Sequence, residues 1–333
     1  DIAEGTAARD NGSDHYLAMD KGLGVAAQRV WRLIQREHAT LPYTRVVGFG
    51  ATMPGFLANT YAAWLGVKSV VLVRGNDLDR DWFDPKRGHL TSEAFARADY
   101  IGAVAPEKVA RIKALFPNCD ARWTPNGVDV DQWELLPADQ ARRDDIRAKL
   151  ALDGRRVVGV FGELKYKKRI PMWLSAAREA GMRDRMGLLV VGRVDEEARQ
   201  ILADPNLAPL HVDMPFCAAQ SLPGLYAACD FIAIPSMYEG MPNVLLEAMA
   251  CGVAPIVSDA GAMGEVVTDG ETGFLFPAED RAAAGEATAR ALALDDAALG
   301  AMGKAAQEHV RRNFTVEREI DTLCSMILDA PLP

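Results

Sequence analysis

Short apolar runs that do not alternate with polar residues constrain this chain more than any other feature. They fall at Arg45–Phe49, Ser69–Val73, Arg156–Phe161, Leu188–Val191, Phe231–Ile234 and Ala254–Val257, and they are rich in Val and Ile. A strand with one face in water alternates apolar and polar side chains, whereas a run that is apolar throughout suits a strand buried on both faces. Longer segments of helical period separate the runs. Strands interleaved with helices imply parallel sheets built from βαβ units, so the expected class is α/β.

At roughly 150 residues per domain, a chain of 333 residues is expected to hold two. The stretch Asp131–Asp153, DQWELLPADQARRDDIRAKLALD, contains no strand candidate and is dense in charge, which suits a solvated linker helix. A fresh βα series starts at Arg156. The expected division is a first domain over 1–135, a linker over 136–154, a second domain over 155–312 and a terminal segment over 313–333. In the last segment Val316, Ile320, Leu323, Met326 and Ile327 recur at helical spacing. They predict an amphipathic helix that packs on the second domain or returns to the first. The opening, DIAEGTAARDNGSDHYLAMDKG, offers no strand followed by a tight glycine turn into a helix, so the first domain is short for a full doubly wound unit.

Composition excludes some classes. The net charge of −9 supplies no global basic field to recruit nucleic acid. Cys119, Cys217, Cys229, Cys251 and Cys324 lie far apart without metal-ligand spacing, which suits free thiols in a reducing compartment. No apolar run approaches the roughly 20 residues that span a bilayer, and no signal-peptide pattern opens the sequence. A cytoplasmic protein is expected. The helix Val25–Arg36 sets Val30, Trp31, Leu33 and Ile34 against Arg29, Arg32 and Arg36. Peripheral membrane contact is one use of such a face; in an acidic chain, core packing with a solvated face is the favoured one.

The most informative stretch is Pro235–Gly252, PSMYEGMPNVLLEAMACG. It follows the run Phe231–Ile234. Gly240 and Pro242 force a loop, Pro242 or Asn243 opens a helix, and Gly252 ends it. Glu239 then sits beside a helix N-terminus, with Glu247 about one turn inside the helix. Free first-turn amides and the helix dipole favour an anion, while the carboxylates accept hydrogen bonds from sugar or ribose hydroxyls. A nucleotide sugar presents both chemistries. Taken alone, such a Glu pair is more often solvated surface.

In this stretch the sequence resembles the family-4 retaining glycosyltransferases of the GT-B fold. Their hallmark, P-S-x-x-E-G-x-P-N-x-x-x-E-A-x-A-x-G, reads here as Pro235, Ser236, Glu239, Gly240, Pro242, Asn243, Glu247, Ala248, Ala250 and Gly252. The resemblance continues through VAPIVSDAGAMGEVVTDGETGFLFP and includes TPNGVD at Thr124–Asp129. It implies two Rossmann-like, doubly wound parallel-sheet domains facing a cleft. The first would bind the acceptor and the second the nucleotide sugar. It further implies that Glu239 contacts donor-sugar hydroxyls and that Glu247 hydrogen-bonds the ribose. The amides of Met241, Asn243 and Val244 would face the distal phosphate, with Gly162 and Gly240 also on the donor-binding side.

The basic segment GELKYKKR, Gly162–Arg169, follows the run Val157–Phe161 as a strand-to-helix turn able to place an ammonium over a phosphate. Against the family turn G-R-L-x-x-x-K-G, the matching positions are Gly162, Glu163, Leu164 and Lys168. The resemblance makes Lys168 the catalytic cation for the leaving diphosphate, alongside Glu239. Glu163 departs from the Arg of many members, while Lys165 and Lys167 read as solvated charges. VVLVRGNDLD, Val70–Asp79, resembles the strand and loop lining the acceptor cleft, with Arg74 where relatives often carry His. Arg74, Asn76 and Asp77 are the acceptor-side candidates; Arg74 either recognises an acceptor anion or pairs with Asp77 or Asp79. GFGATMPG, Gly48–Gly55, is a further turn, with or without a ligand.

The implied reaction is retaining transfer of a sugar from a UDP- or GDP-linked donor to an acceptor hydroxyl on a saccharide, a lipid-linked molecule or a small molecule. No cofactor or metal is expected. DLDRD at Asp77–Asp81 has D-x-D letters but lies in the presumed acceptor domain. Preorganised positive potential from Lys168 and the helix after Gly240 would replace the metal. Epimerase and phosphorylase readings lack their acids or cofactor lysine. A catalytically silent nucleotide-sugar-binding scaffold or partner subunit is the alternative from another class.

Overall fold

The structure is a computed structural model that describes residues 5–9, 12–17, 22–133, 135–151, 154–206 and 208–328. The chain divides into two compact units. One comprises Asp1–Val73, Arg80–Gly102 and Ile112–Ala121; the other comprises Arg74–Asp79, Ala103–Arg111 and Arg122–Pro333.

The first unit opens with β1 (Gly5–Arg9) and β2 (Gly12–Tyr16), paired antiparallel. The opening therefore does carry strands, but as a hairpin rather than as the start of a βα unit. A four-stranded sheet follows, of β3 (Arg45–Phe49), β4 (Lys68–Val73), β5 (Tyr100–Ala103) and β6 (Asp120–Trp123), in that spatial order. β3 and β4 run parallel across the helix Met53–Leu65, which ends at left-handed Gly66. β5 and β6 escaped the apolar-run criterion because YIGA holds a single branched aliphatic residue and DARW carries Asp and Arg.

The second unit is built on β7 (Arg156–Leu164), β8 (Met186–Val194), β9 (Leu210–Met214), β10 (Phe231–Ile234), β11 (Ala254–Asp259) and β12 (Phe274–Pro277). Their order is β12-β11-β10-β7-β8-β9, with every neighbouring pair parallel. The non-alternating runs have the predicted consequence. Val157, Phe161, Leu189, Ile232 and Val257 join one apolar core, while Val158, Val160, Leu188, Phe231 and Ile256 join another. Helices Asn243–Ala250 and Asp296–Asn313 fill the first core with Leu245, Met249, Ala306 and Val310. Helices Ile170–Glu179 and Arg281–Leu292 fill the second, where the buried Trp173 indole donates to Thr288 Oγ1 at 3.0 Å. Truncating Trp173 to Ala would cost about 3–5 kcal/mol.

One segment takes a place that its charge pattern did not indicate. The expected linker carries the helix Pro137–Leu150, which gives Ile146 and Leu150 to the first of these cores. The terminal helix Val316–Leu328 belongs to the second unit, where Val316 N donates to Val128 O and Glu319 accepts from the Gly127 amide at 2.7 Å.

From β7 the chain winds outward through β8 and β9. It then returns to the other flank of β7 with β10 and continues to β11 and β12. Winding reverses between β7 and β10. In open parallel sheets the crevice beyond the carboxyl ends of the strands at such a reversal is where ligands bind.

Candidate functional site

The segments leaving β7 and β10 meet at that reversal. β7 runs to Leu164 rather than stopping at Phe161, so Gly162 is a strand residue and the turn begins at Lys165. The cause is a pair of glycines in register: Gly162 (φ 104°) opposes Gly192 (φ 123°). A Cβ on Gly192 would lie 2.2 Å from Gly162 O. A single helical turn, Tyr166–Lys168, then leads through left-handed Arg169 into the helix Ile170–Glu179. Its carbonyl at Lys167 accepts the Met237 amide at 2.8 Å, which ties the turn to the loop after β10.

Glu239 is the centre of this junction. It is 8% exposed, and its carboxylate accepts from Lys168 Nζ at 2.6 Å, Ser236 Oγ at 3.0 Å and Lys167 Nζ at 3.3 Å. Burial pushes its carboxyl up, but the Lys168 and Lys167 ammoniums, with hydrogen bonds from Lys168 and Ser236, more than offset that and hold it below the ordinary range. Lys167 thus differs from its expected place in solvent: it pairs with Glu239 and lies 5.3 Å from the Tyr238 ring centre. Lys165 is exposed and pairs with exposed Glu163, which also lies 3.7 Å from Arg193.

Gly240 is required by crowding. A Cβ there would fall 2.0 Å from Arg74 O, and one on Gly261 would fall 2.3 Å from Gly240 O. The Ala262 amide donates to Gly240 O at 2.8 Å, so the loop after β11 backs the loop after β10. Pro242 precedes the helix Asn243–Ala250, and no side chain caps that helix. The first-turn amides of Asn243 and Val244 have no intrahelical acceptor and remain available to an anion. Met241 is buried, its side chain in the core and its carbonyl accepting from Asn126 Nδ2 at 2.8 Å. Asn126 Nδ2 also donates to Asn243 Oδ1 at 3.0 Å.

Glu247 faces a separate set of groups. Tyr226 OH donates to its Oε2 at 2.7 Å, and the Tyr226 ring packs on Phe161 at 4.5 Å between centroids. Burial pushes the Glu247 carboxyl up, and the Tyr226 hydrogen bond opposes this only in part.

Arg74, Asn76 and Asp77, read as first-domain residues, are grouped with the second unit. The Arg74 guanidinium reaches Asn126 Oδ1 and, at 3.5 Å, Glu319. Asp77 accepts the Arg74 backbone amide at 3.1 Å, and Asn76 begins the short helix Asn76–Asp79. Asp79 pairs with fully buried Lys108, at 2.5 Å, and with Arg111, at 2.7 Å. Sequence reasoning did not single out Ser236, Tyr226 or Asn126 as site groups. Ser236 and Asn126 stood in quoted motifs, but Tyr226 had no local signal. Among the described residues, no group of three or more His, Cys, Asp or Glu is placed to hold a metal ion, and no helix is long and apolar enough to cross a membrane.

The family model described as "Glycosyl transferases group 1" matches residues 142–309, half of the chain, and the protein belongs to that family. Over 209 residues it is 34% identical to the lipopolysaccharide core biosynthesis mannosyltransferase LpcC of Rhizobium leguminosarum bv. viciae, covering 60% of this chain and 56% of the relative. Over 218 residues it is 33% identical to a D-inositol 3-phosphate glycosyltransferase of Rhodococcus opacus, covering 60% of this chain and 47% of the relative. The chain thus spans about half the length of these relatives. Among solved structures, sucrose-phosphate synthase of Thermosynechococcus elongatus superposes with a TM-score of 0.73 at 22% identity, covering 94% of this chain and 80% of that one. HepE of Anabaena, solved with UDP and glucose, superposes at 0.75 and 19% identity, covering 92% and 82%. The fold is α/β of the GT-B kind.

Proposed function

We propose that the protein is a retaining, metal-independent glycosyltransferase that moves a sugar from a UDP- or GDP-linked donor to an acceptor hydroxyl. The observation that carries this reading is the junction of Glu239 with Lys167 and Lys168 at the sheet's reversal, where the loop after β10 leads into an uncapped helix N-terminus. The relatives' names and the UDP and glucose in HepE support a nucleotide sugar as the ligand.

Glycosyl departure leaves charge on a nucleoside diphosphate. Lys168 and the amides of Asn243 and Val244 supply fixed positive potential for it, each such contact lowering the barrier by about 2–4 kcal/mol. Glu239, held ionised by two ammoniums, accepts hydrogen bonds from sugar hydroxyls. Glu247 takes the ribose. Arg74, Asn76 and Asp77 are assigned to the acceptor side, and retention follows from the family resemblance.

The test begins with thermal shifts on UDP, GDP and ADP and their sugar conjugates; a ligand at about 100 times its Kd adds roughly 2.7 kcal/mol. Donor-dependent transfer or slow donor hydrolysis, abolished by Glu239→Ala, is the expected result. Binding without any turnover assigns the silent-scaffold role instead, and failure to bind any diphosphate removes both.

A further inference from the structure

Among the described residues, two other than glycine have left-handed backbones: Arg169 at φ 53° and Glu279 at φ 65°. Their side chains form an ion pair with each other, Arg169 Nη2 to Glu279 Oε1. Left-handed backbone is unfavourable for any residue carrying a Cβ. A partly exposed pair, here 23% and 44% exposed, returns little stability of its own. The pairing therefore does not account for both strained positions as a gain in stability, and strain of this sort gathers where geometry serves function.

The two residues join separate turns. Arg169 closes the turn that carries Lys167 and Lys168: its amide donates to Tyr166 O at 3.1 Å, and its carbonyl accepts from Trp173 at 3.0 Å in the helix that follows. Its guanidinium donates to Tyr166 OH at 3.1 Å and lies 5.2 Å from that ring's centre, so it grips the same turn from outside. Its Nε is buried with no hydrogen-bond partner among the described residues, so the orientation that meets Glu279 leaves one donor unsatisfied. Glu279 stands in the turn Pro277–Asp280, closed by Asp280 N on Pro277 O at 3.1 Å, directly before the helix Arg281–Leu292. That helix is a firm anchor: it packs so closely on Ile170–Glu179 that a Cβ on Gly285 would lie 2.9 Å from Ala176 O.

We infer that the Arg169–Glu279 pair is a strap that fixes the lysine turn, making both positioning residues for Lys168, the ammonium assigned to the donor's diphosphate. This rests on the role proposed for Lys168. A strap and a mere extra cation at Arg169 differ in sign. Glu279→Gln removes a negative charge near the site: a point-charge role predicts tighter diphosphate binding, and a strap predicts weaker.

The experiment is calorimetric titration of UDP and GDP, with uridine and guanosine as controls. On the strap reading, Glu279→Gln and Arg169→Gly each weaken the better-bound diphosphate by about three- to tenfold, a typical span for coupled neighbours. The nucleosides bind unchanged. Arg169→Gly, free of the backbone strain, melts no lower than the parent, which separates loss of positioning from loss of fold. Exchanging the pair, R169E with E279R, restores diphosphate binding. Tighter or unchanged binding in Glu279→Gln, or equal losses for nucleoside and diphosphate, overturns the strap. Lys168→Ala is run beside them: if it leaves diphosphate binding intact, the donor-site reading fails on its own account.

Discussion

Removing the Lys168 ammonium tests the junction through stability as well as activity. In Lys168→Met the stem is retained and one partner of a carboxylate is lost. The pair is enclosed, its side chains 15% and 9% exposed. A hydrogen bond to a charged group contributes about 1.5–3 kcal/mol. Lys167 and Ser236 remain on Glu239, at 3.3 Å and 3.0 Å, so the loss near neutral pH is expected within that range rather than at the higher value for a fully orphaned buried charge.

The pH dependence makes the reasoning specific. The Glu239 carboxyl is held below its ordinary value of 4.5, so its share of stability is present above that value and is lost as pH falls through the lower, folded value. In Lys168→Met the upward push of burial is less opposed, so the carboxyl takes up its proton more readily and less stability remains to be lost in acid. The gap between the two proteins is thus widest near neutrality and closes as pH drops below 4.5. Urea midpoints across a pH series measure it, provided the slopes match. A gap that stays constant down the series, or no gap near neutrality, refutes the assigned electrostatics.

Gly240→Ala drives a methyl to within 2.0 Å of Arg74 O; a stability loss of about 1–3 kcal/mol or more and the disappearance of UDP-induced thermal shifts are expected. Glu247→Gln removes a carboxylate whose proton affinity is raised by burial, a group that weakens the fold above its ordinary value and less so as pH falls through the raised one. The variant is expected to be about 0.5–2 kcal/mol more stable near neutrality, with the advantage fading in acid, and to lose uridine affinity while keeping pyrophosphate affinity. Burial pushes the Cys251 thiol up to about 12 and lifts Cys229 beyond the usual thiol range, whereas Cys324 is exposed. In a colorimetric thiol titration Cys324 should react in the folded protein, while Cys229 and Cys251 lag by about a thousandfold or more until it unfolds.

Legibility in the sequence followed the range of each interaction. The strands of the second unit could be read because burial on both faces leaves an unbroken apolar run, as at Phe231–Ile234. β9 and β12 were not among the runs: LHVDM carries His and Asp, and FLFP ends in proline. The loop and helix start at Gly240 and Asn243 were visible because they leave fixed spacing, whereas Glu239 was singled out by its place in the family motif. Lys167 was not, because its partner Glu239 lies 72 residues away and nothing in KYKKR says which lysine turns inward. Tyr226 is 21 residues from Glu247 on another helix, and the place of Arg74 beside Glu319 spans 245 residues. The charged helix Pro137–Leu150 misled in another way: its Ile146 and Leu150 are outnumbered by charges, yet those two residues decide where it packs.

An acidic protein that takes up a diphosphate must concentrate positive potential locally, and the distribution of partners shows how this one can. Glu163, at the end of β7, is matched by Lys165 and Arg193 in solvent, so those cations are largely spent outside the junction. Inside it, two ammoniums face one carboxylate, which leaves one unit of positive charge on the loop that leads into the uncapped amides of Asn243 and Val244. An ammonium has three donors, and the 2.6 Å bond to Glu239 occupies one of those on Lys168. A phosphate oxygen can therefore share Lys168 without displacing Glu239, which Lys167 and Ser236 continue to hold. On the proposed reading Lys167 keeps the carboxylate ionised and aimed while Lys168 serves the leaving group, so Lys167→Ala is expected to disturb sugar recognition more than diphosphate affinity, measurable as a larger loss for UDP-glucose than for UDP.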